Sequence, residues 1–170
     1  MTDSAQDETQ IAETRPRSSA HKPIELRRPL RILLVEDERV TALQMEITLT
    51  LARHDVLGVA PTAERALRMA ALLTLDLALV DISLADGSSG IDAAREIHRL
   101  YGVRSLFVTA EPARCREAKR PFALGCLTKP FDENELLVAI RMAEKRIRGE
   151  RAAEPQEPPH RRLPGNLELY

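Results

Sequence analysis

Five polar side chains each come close behind a short apolar run. Glu36 and Asp37 follow Leu30–Val35, Asp81 follows Leu75–Val80, Thr109 follows Ser105–Val108, and Lys129, ahead of Pro130, follows Ala123–Leu127. The set holds three carboxylates, a hydroxyl and an amine. Carboxylates gathered in one place repel one another and need a cation or a proton. A hard cation that prefers oxygen, such as Mg²⁺, suits them best. With a metal bound, one carboxylate is able to attack phosphorus, as in aspartyl-phosphate chemistry. The phosphoryl oxygens are then balanced by the metal, an ammonium, a hydroxyl and backbone N–H groups. Asp37, Asp81, Thr109 and Lys129 supply those parts. Taken singly, each residue has an ordinary explanation. An Asp or Thr after a strand caps a helix, and acids such as those of Glu36-Asp37-Glu38 suit a first helical turn. Glu38 is assigned to that ordinary role. Five such coincidences at the ends of four apolar runs favour the chemical reading of the others.

The elements that must position this set alternate along the chain. Apolar runs at Leu30–Val35, Val56–Ala60, Leu75–Val80, Ser105–Val108 and Ala123–Leu127 suit strands buried on both faces of a parallel sheet. Amphipathic stretches separate them. The first places Val40, Leu43, Ile47 and Leu51 on one helical face. The second, opened by Pro61-Thr62, places Ala66, Met69, Ala70 and Leu73 together, and the third Ile91, Ala94 and Ile97. The fourth, Pro112 to about Lys119, is short and weakly amphipathic. The last carries Leu136, Ile140, Ala143 and Ile147 behind Asp132 and Glu135, spaced as a capping box. Right-handed crossovers turn five such units into an open parallel sheet with helices on both faces. Chemistry in such sheets gathers at the carboxyl ends of the strands, where the five polar residues lie.

Composition fits one compact domain between tails. The chain has 170 residues, 44% of them hydrophobic but only 3% aromatic, so aliphatic side chains must build the core. With 25 basic and 26 acidic residues the net charge is −1, which gives no general attraction to nucleic acid or anionic lipid. No apolar run approaches membrane-spanning length, and the N-terminus shows no signal core. The expected location is cytoplasmic. Cys115 and Cys126 have no metal-ligand spacing and make no disulfide framework, so reduced thiols are expected. Residues 1–29 are polar and sparse in apolar residues, and are expected to be disordered. The expected domain covers 30–148. A Pro-rich tail at 149–170 is expected to be mostly solvated, although Leu163, Leu167, Leu169 and Tyr170 are apolar enough to dock on a surface.

The segments RILLVEDE, LALVDISLADGSSG, LFVTA and LTKPF, in this order and spacing, resemble the receiver domain of bacterial two-component response regulators, from about Leu30 to Ile147. The resemblance implies an α/β fold, a doubly wound five-stranded parallel sheet with helices on both faces, of the flavodoxin-like or CheY-like kind. It implies Asp81 as phosphoacceptor and Asp37 as a direct Mg²⁺ ligand. Glu36 would act as the second pocket acid, and the Ser83 carbonyl would complete the metal site. Thr109 would be the switch hydroxyl and Lys129 the phosphate-pairing lysine, ahead of a cis Lys129–Pro130 bond. Ser83 and Glu111 lie where the family tunes phosphate lifetime. Implied partners are a sensor histidine kinase or phosphotransfer protein and a downstream protein target, with no direct DNA or membrane binding. The fourth and fifth helical stretches offer a surface for a homodimer. Such a protein is a phosphoacceptor that assists its own phosphorylation and dephosphorylation rather than an enzyme in the usual sense.

Three features depart from the family pattern. Cys126 stands where many receivers carry an inward-turning Tyr or Phe, and is expected to be a plain buried cysteine. Phe107 and Phe122 are candidates to replace that ring. The stretch from Glu111 to Phe122 is rich in basic residues and holds Pro112 and Pro121. No output domain is recognisable after Ile147, so a single-domain regulator is expected, with a phosphate sink or a non-phosphorylated scaffold as alternatives. A haloacid-dehalogenase-type enzyme would carry an acid at position 83, where Ser83 stands. A flavodoxin-like cofactor binder would carry a Gly-rich loop after the first strand, where VEDE would repel a phosphate.

Overall fold

The computed structural model describes residues 28–118, 121–149 and 165–169. The expected disorder of residues 1–27, and the expected solvation of 150–164 and Tyr170, lie outside the described residues. The strands are β1 (Arg31–Val35), β2 (Asp55–Ala60), β3 (Leu77–Val80), β4 (Arg104–Thr109), β5 (Ala123–Thr128) and β6 (Leu167–Leu169). The helices are α1 (Arg39–Leu51), α2 (Ala63–Leu72), α3 (Gly90–Tyr101) and α4 (Glu133–Ile147), with a 3-10 helix η1 (Pro112–Glu117) between β4 and β5.

The sheet order is β2-β1-β3-β4-β5-β6. The first five strands run parallel, as their continuous apolar runs require, and β6 pairs antiparallel with β5. The expected five-stranded sheet is therefore corrected to six strands. The same pairing overturns a solvated end for Leu167–Leu169. Gly125 permits it: a Cβ there would lie 2.4 Å from the Glu168 carbonyl oxygen and 3.2 Å from the Leu169 Cα.

Alternation along the strands sends side chains to two cores. Leu33, Val35, Ala78, Val80 and Phe107 meet α2, α3 and η1 on one face. Ile32, Leu34, Leu79, Leu106 and Val108 meet Met45 and Leu49 of α1 and Leu136, Ala139 and Ile140 of α4 on the other. The helix starts behave as the sequence suggests. Thr62 accepts from the Arg65 amide, and Asp132 with Glu135 forms a reciprocal capping box. The stretch after Pro112 is a single 3-10 segment, as its short and weakly amphipathic pattern implied.

Helix α1 turns a different face inward from the one its spacing suggests. Ala42, Met45, Thr48 and Leu49 are buried, whereas Val40, Leu43, Ile47 and Leu51 are 76%, 56%, 51% and 75% exposed. Two stripes compete on this helix. The one holding Met45 and Leu49 packs into the core with Leu30, Ile32 and Leu34.

Candidate functional site

The strand order reverses between β1 and β3, and open α/β sheets form their crevice at such a point. Glu36 and Asp37 leave β1 there, and Asp81 leaves β3. Carboxylate oxygens of Glu36, Asp37 and Asp81 all lie within 4.8 Å of one another. Lys129, from the end of β5, reaches across β4. Its Nζ donates to Glu36 Oε2 and to Asp81 Oδ2, each at 2.7 Å. The Lys129–Pro130 peptide is cis, and the Lys129 amide donates to the Thr109 carbonyl at 2.8 Å.

These groups are sequestered from water. The Glu36 side chain is 1% exposed and those of Asp81 and Lys129 are 11% and 16%. Burial pushes the Glu36 carboxyl above its ordinary range, against the pull of Lys129, and Asp81 nearby adds to the rise. Burial also disfavours the Lys129 ammonium, but its hydrogen bonds to Asp81 and Glu36 outweigh this and raise its pKa. One ammonium thus faces three carboxylates, and the uncompensated negative charge suits a hard divalent cation.

Thr109 is buried at the end of β4, and its hydroxyl accepts from the Glu111 amide at 3.1 Å. Thr109 pairs in register with Thr128, so it stands one residue from Lys129 on the neighbouring strand. The Ser83 amide donates to Asp81 Oδ1 at 3.2 Å, and its hydroxyl donates to Glu111 Oε1. All six residues singled out in the sequence (Glu36, Asp37, Asp81, Ser83, Thr109 and Lys129) therefore lie at this one end of the sheet. Glu38 is exposed, accepts from the Thr41 hydroxyl, and stays outside the cluster.

Two neighbours were not singled out. Arg114 of η1 donates from Nη1 to the Ser83 hydroxyl at 2.7 Å. Only the folding back of η1 brings it there, and no local pattern signals that. Gly90 opens α3 against the Asp81 backbone, where a Cβ would stand 1.8 Å from the Asp81 carbonyl oxygen. The closing glycine of DGSSG was the available signal.

The expectation of two reduced, separate thiols is corrected. Cys115 of η1 and Cys126 of β5 form a disulfide with Cα atoms 6.3 Å apart, a usual span for such a bond. A separation of eleven residues does not reveal that η1 lies back on β5. Cys126 is buried, as expected. Phe107 and Phe122 pack edge to face at 6.4 Å in the same core cluster as the disulfide.

The response regulator receiver domain family matches residues 32–141, and the chain belongs to that family. It is 36% identical over 113 residues to the phyllosphere-induced regulator PhyR of Methylorubrum extorquens, covering 66% of this chain and 42% of that protein. It is 30% identical to the transcriptional regulatory protein PdtaR of Mycobacterium tuberculosis, covering 71% of this chain and 59% of the relative. Among solved structures it is similar to the response regulator PhyR of Brucella abortus, with a TM-score of 0.66, 34% identity and coverage of 72% and 50%. It is also similar to the receiver domain of Erythrobacter litoralis PhyR, with a TM-score of 0.61, 34% identity and coverage of 74% and 94%. The chain spans about half the length of the curated relatives it matches. It is thus a response regulator receiver domain of two-component signalling. No helix among the described residues is long and apolar enough to cross a membrane.

Proposed function

We propose that residues 30–148 form a phosphorylation switch in which Asp81 takes a phosphoryl group from a phosphohistidine of a sensor kinase or phosphotransfer protein. The observation that carries this is the cluster of Glu36, Asp37 and Asp81, with the Lys129 ammonium bonded to Glu36 and Asp81. Asp37, Asp81, Glu36 and the Ser83 carbonyl would hold Mg²⁺, which when bound neutralises the phosphoryl oxygens. Asp81 Oδ attacks phosphorus in line as the phosphorus–nitrogen bond of the donor breaks, and the departing imidazole takes up a proton. Lys129 moves its ammonium from the Glu36 and Asp81 carboxylates onto a phosphoryl oxygen. Thr109 gives up its contact with the Glu111 amide and donates its hydroxyl to the new dianionic group.

Output then runs through a protein contact, as the loop after β4 and η1 shift between two packings. A Bartonella quintana relative described as an anti-anti-sigma factor favours an output of this kind over direct DNA binding. The exposed apolar stripe of α1 borders the cleft lined by Glu36, Asp37, Arg39, Leu43 and Glu46, and it is the surface offered to the phosphate donor. The setting for this chemistry is the cytoplasm.

Incubation with acetyl phosphate and Mg²⁺ should give an acid-stable, base-labile mass increase that Asp81→Asn abolishes. Retained labelling in that variant overturns the assignment. Ile47→Asp should slow transfer from a phosphorylated kinase yet leave labelling by acetyl phosphate unchanged.

A further inference from the structure

We infer that Cys115 and Cys126 form a reversible thiol–disulfide site that sets how readily Asp81 takes up phosphate, a second input that rests on the proposed function above. The sulfur bridge joins two parts of the phosphate pocket. Its sheet end, Cys126, pairs in register with Phe107, two residues before Thr109, and stands three residues before Lys129. Its other end, Cys115, lies in η1 beside Arg114. Arg114 and Glu111 together hold the Ser83 hydroxyl, and the Ser83 amide holds Asp81 Oδ1. A covalent link therefore runs from β5, which Lys129 directly follows, to the segment whose Arg114 holds the Ser83 hydroxyl.

Besides the bridge, the Arg114–Ser83 hydrogen bond and packing against β5 hold η1 in place. It is a 3-10 segment with no side-chain cap at its start, and 3-10 hydrogen bonds are poorer than those of an α-helix. Of its residues, Cys115 alone is buried, with Ala118 just beyond its end. In the oxidised protein the clamp keeps Arg114 and Glu111 over Ser83 and restrains the loop that Thr109 must bring inward. Reduction leaves η1 held by ordinary packing and free to shift with Thr109.

A receiver supplied by a cytoplasmic kinase works where thiols are kept reduced, and disulfides there are transient and regulatory. Both sulfurs are buried, so a dithiol reductant opens the bridge when η1 lifts from β5 and uncovers them. One thiolate attacks a sulfur, the Cys115–Cys126 bond breaks, and the second thiol resolves the mixed disulfide. Two electrons and two protons end on Cys115 and Cys126, and the reductant becomes a disulfide. A hydroperoxide reverses the process. One cysteine thiolate takes oxygen to give a sulfenic acid, and the other displaces that oxygen as water.

The test uses the full chain, oxidised with hydrogen peroxide or reduced with dithiothreitol, its thiols counted by maleimide mass tagging after denaturation. Each form is then given acetyl phosphate and Mg²⁺, and the base-labile mass increase is followed in time. The reduced form should label about fivefold faster, at the lower end of ordinary coupling between sites. Cys115→Ala and Cys126→Ala should each label at the reduced rate whether or not peroxide is added. The oxidised and reduced wild-type proteins give the answer even if a variant fails to fold. Equal labelling of both forms, or thiols that do not rejoin under peroxide, overturns the redox inference alone. Labelling of neither form overturns the phosphate reading, and this inference with it.

Discussion

The two ends of the sheet both carry partly buried ion pairs, but their charges are matched differently. At the amino end, Asp76 receives the Arg31 guanidinium on both oxygens at 3.0 Å, the Arg31 amide at 2.9 Å and Arg28 at 2.8 Å. One acid there meets two cations. Although burial works against ionisation, the hydrogen bonds from Arg31 hold the Asp76 carboxyl below its ordinary range. At the carboxyl end three acids meet one ammonium, and burial lifts Glu36 above its range. A buried ion pair is therefore no mark of function in itself. The mismatch in charge is what distinguishes the end proposed to take a metal and a phosphate.

Neutralising one acid at each end gives the sharpest contrast. Asp76→Asn should destabilise the metal-free protein by about 2 kcal/mol in urea unfolding, because it weakens charged hydrogen bonds. Added Mg²⁺ at ten times its dissociation constant should stabilise the wild type by about 1.4 kcal/mol. Asp37→Asn should lose that gain in thermal melts, and Asp76→Asn should raise no obstacle to it. Asp81→Asn relieves repulsion, and should stabilise the metal-free protein by about 1 kcal/mol. A loss equal to that of Asp76→Asn would remove the distinction between the two ends.

Acid should separate the ends by sign in a smaller effect. The folded-state pKa of Asp76 is lowered, so its contribution is full above the ordinary value of 3.8 and disappears as pH falls through the lowered value. The folded-state pKa of Glu36 is raised, so its contribution is full below the ordinary 4.5 and is lost as pH rises through the raised value. Urea unfolding of metal-free protein at a series of pH values should show a gain on mild acidification that Glu36→Gln abolishes. The loss in stronger acid should shrink in Asp76→Asn.

Much of the molecule is legible in its sequence where the signal is local. Continuous runs such as Leu77–Val80 mark buried parallel strands, and the reciprocal cap of Asp132 and Glu135 is set within four residues. The pocket follows because every member comes close behind such a run. Non-local pairing hides the rest. Spacing shows an apolar stripe on α1 at Val40, Leu43, Ile47 and Leu51, but not that Ala42, Met45 and Leu49 take the sheet instead. The disulfide and Arg114 depend on η1 folding back, and β6 depends on a three-residue segment finding β5 across a gap of some forty positions.

The β6 contact has a practical consequence for shortened versions of this chain. The Asn166 side chain bonds the Thr128 and Pro130 carbonyls and the Glu135 carboxylate, which ties Leu167–Leu169 beside β5. Trimming the chain before Gly165 would uncover the backbone amides and carbonyls of Gly125 to Leu127. An open strand margin of that kind recruits strands from other molecules. Truncation should therefore favour self-association and precipitation even with the pocket residues untouched. β6 thus occupies the edge that β5 would otherwise leave open.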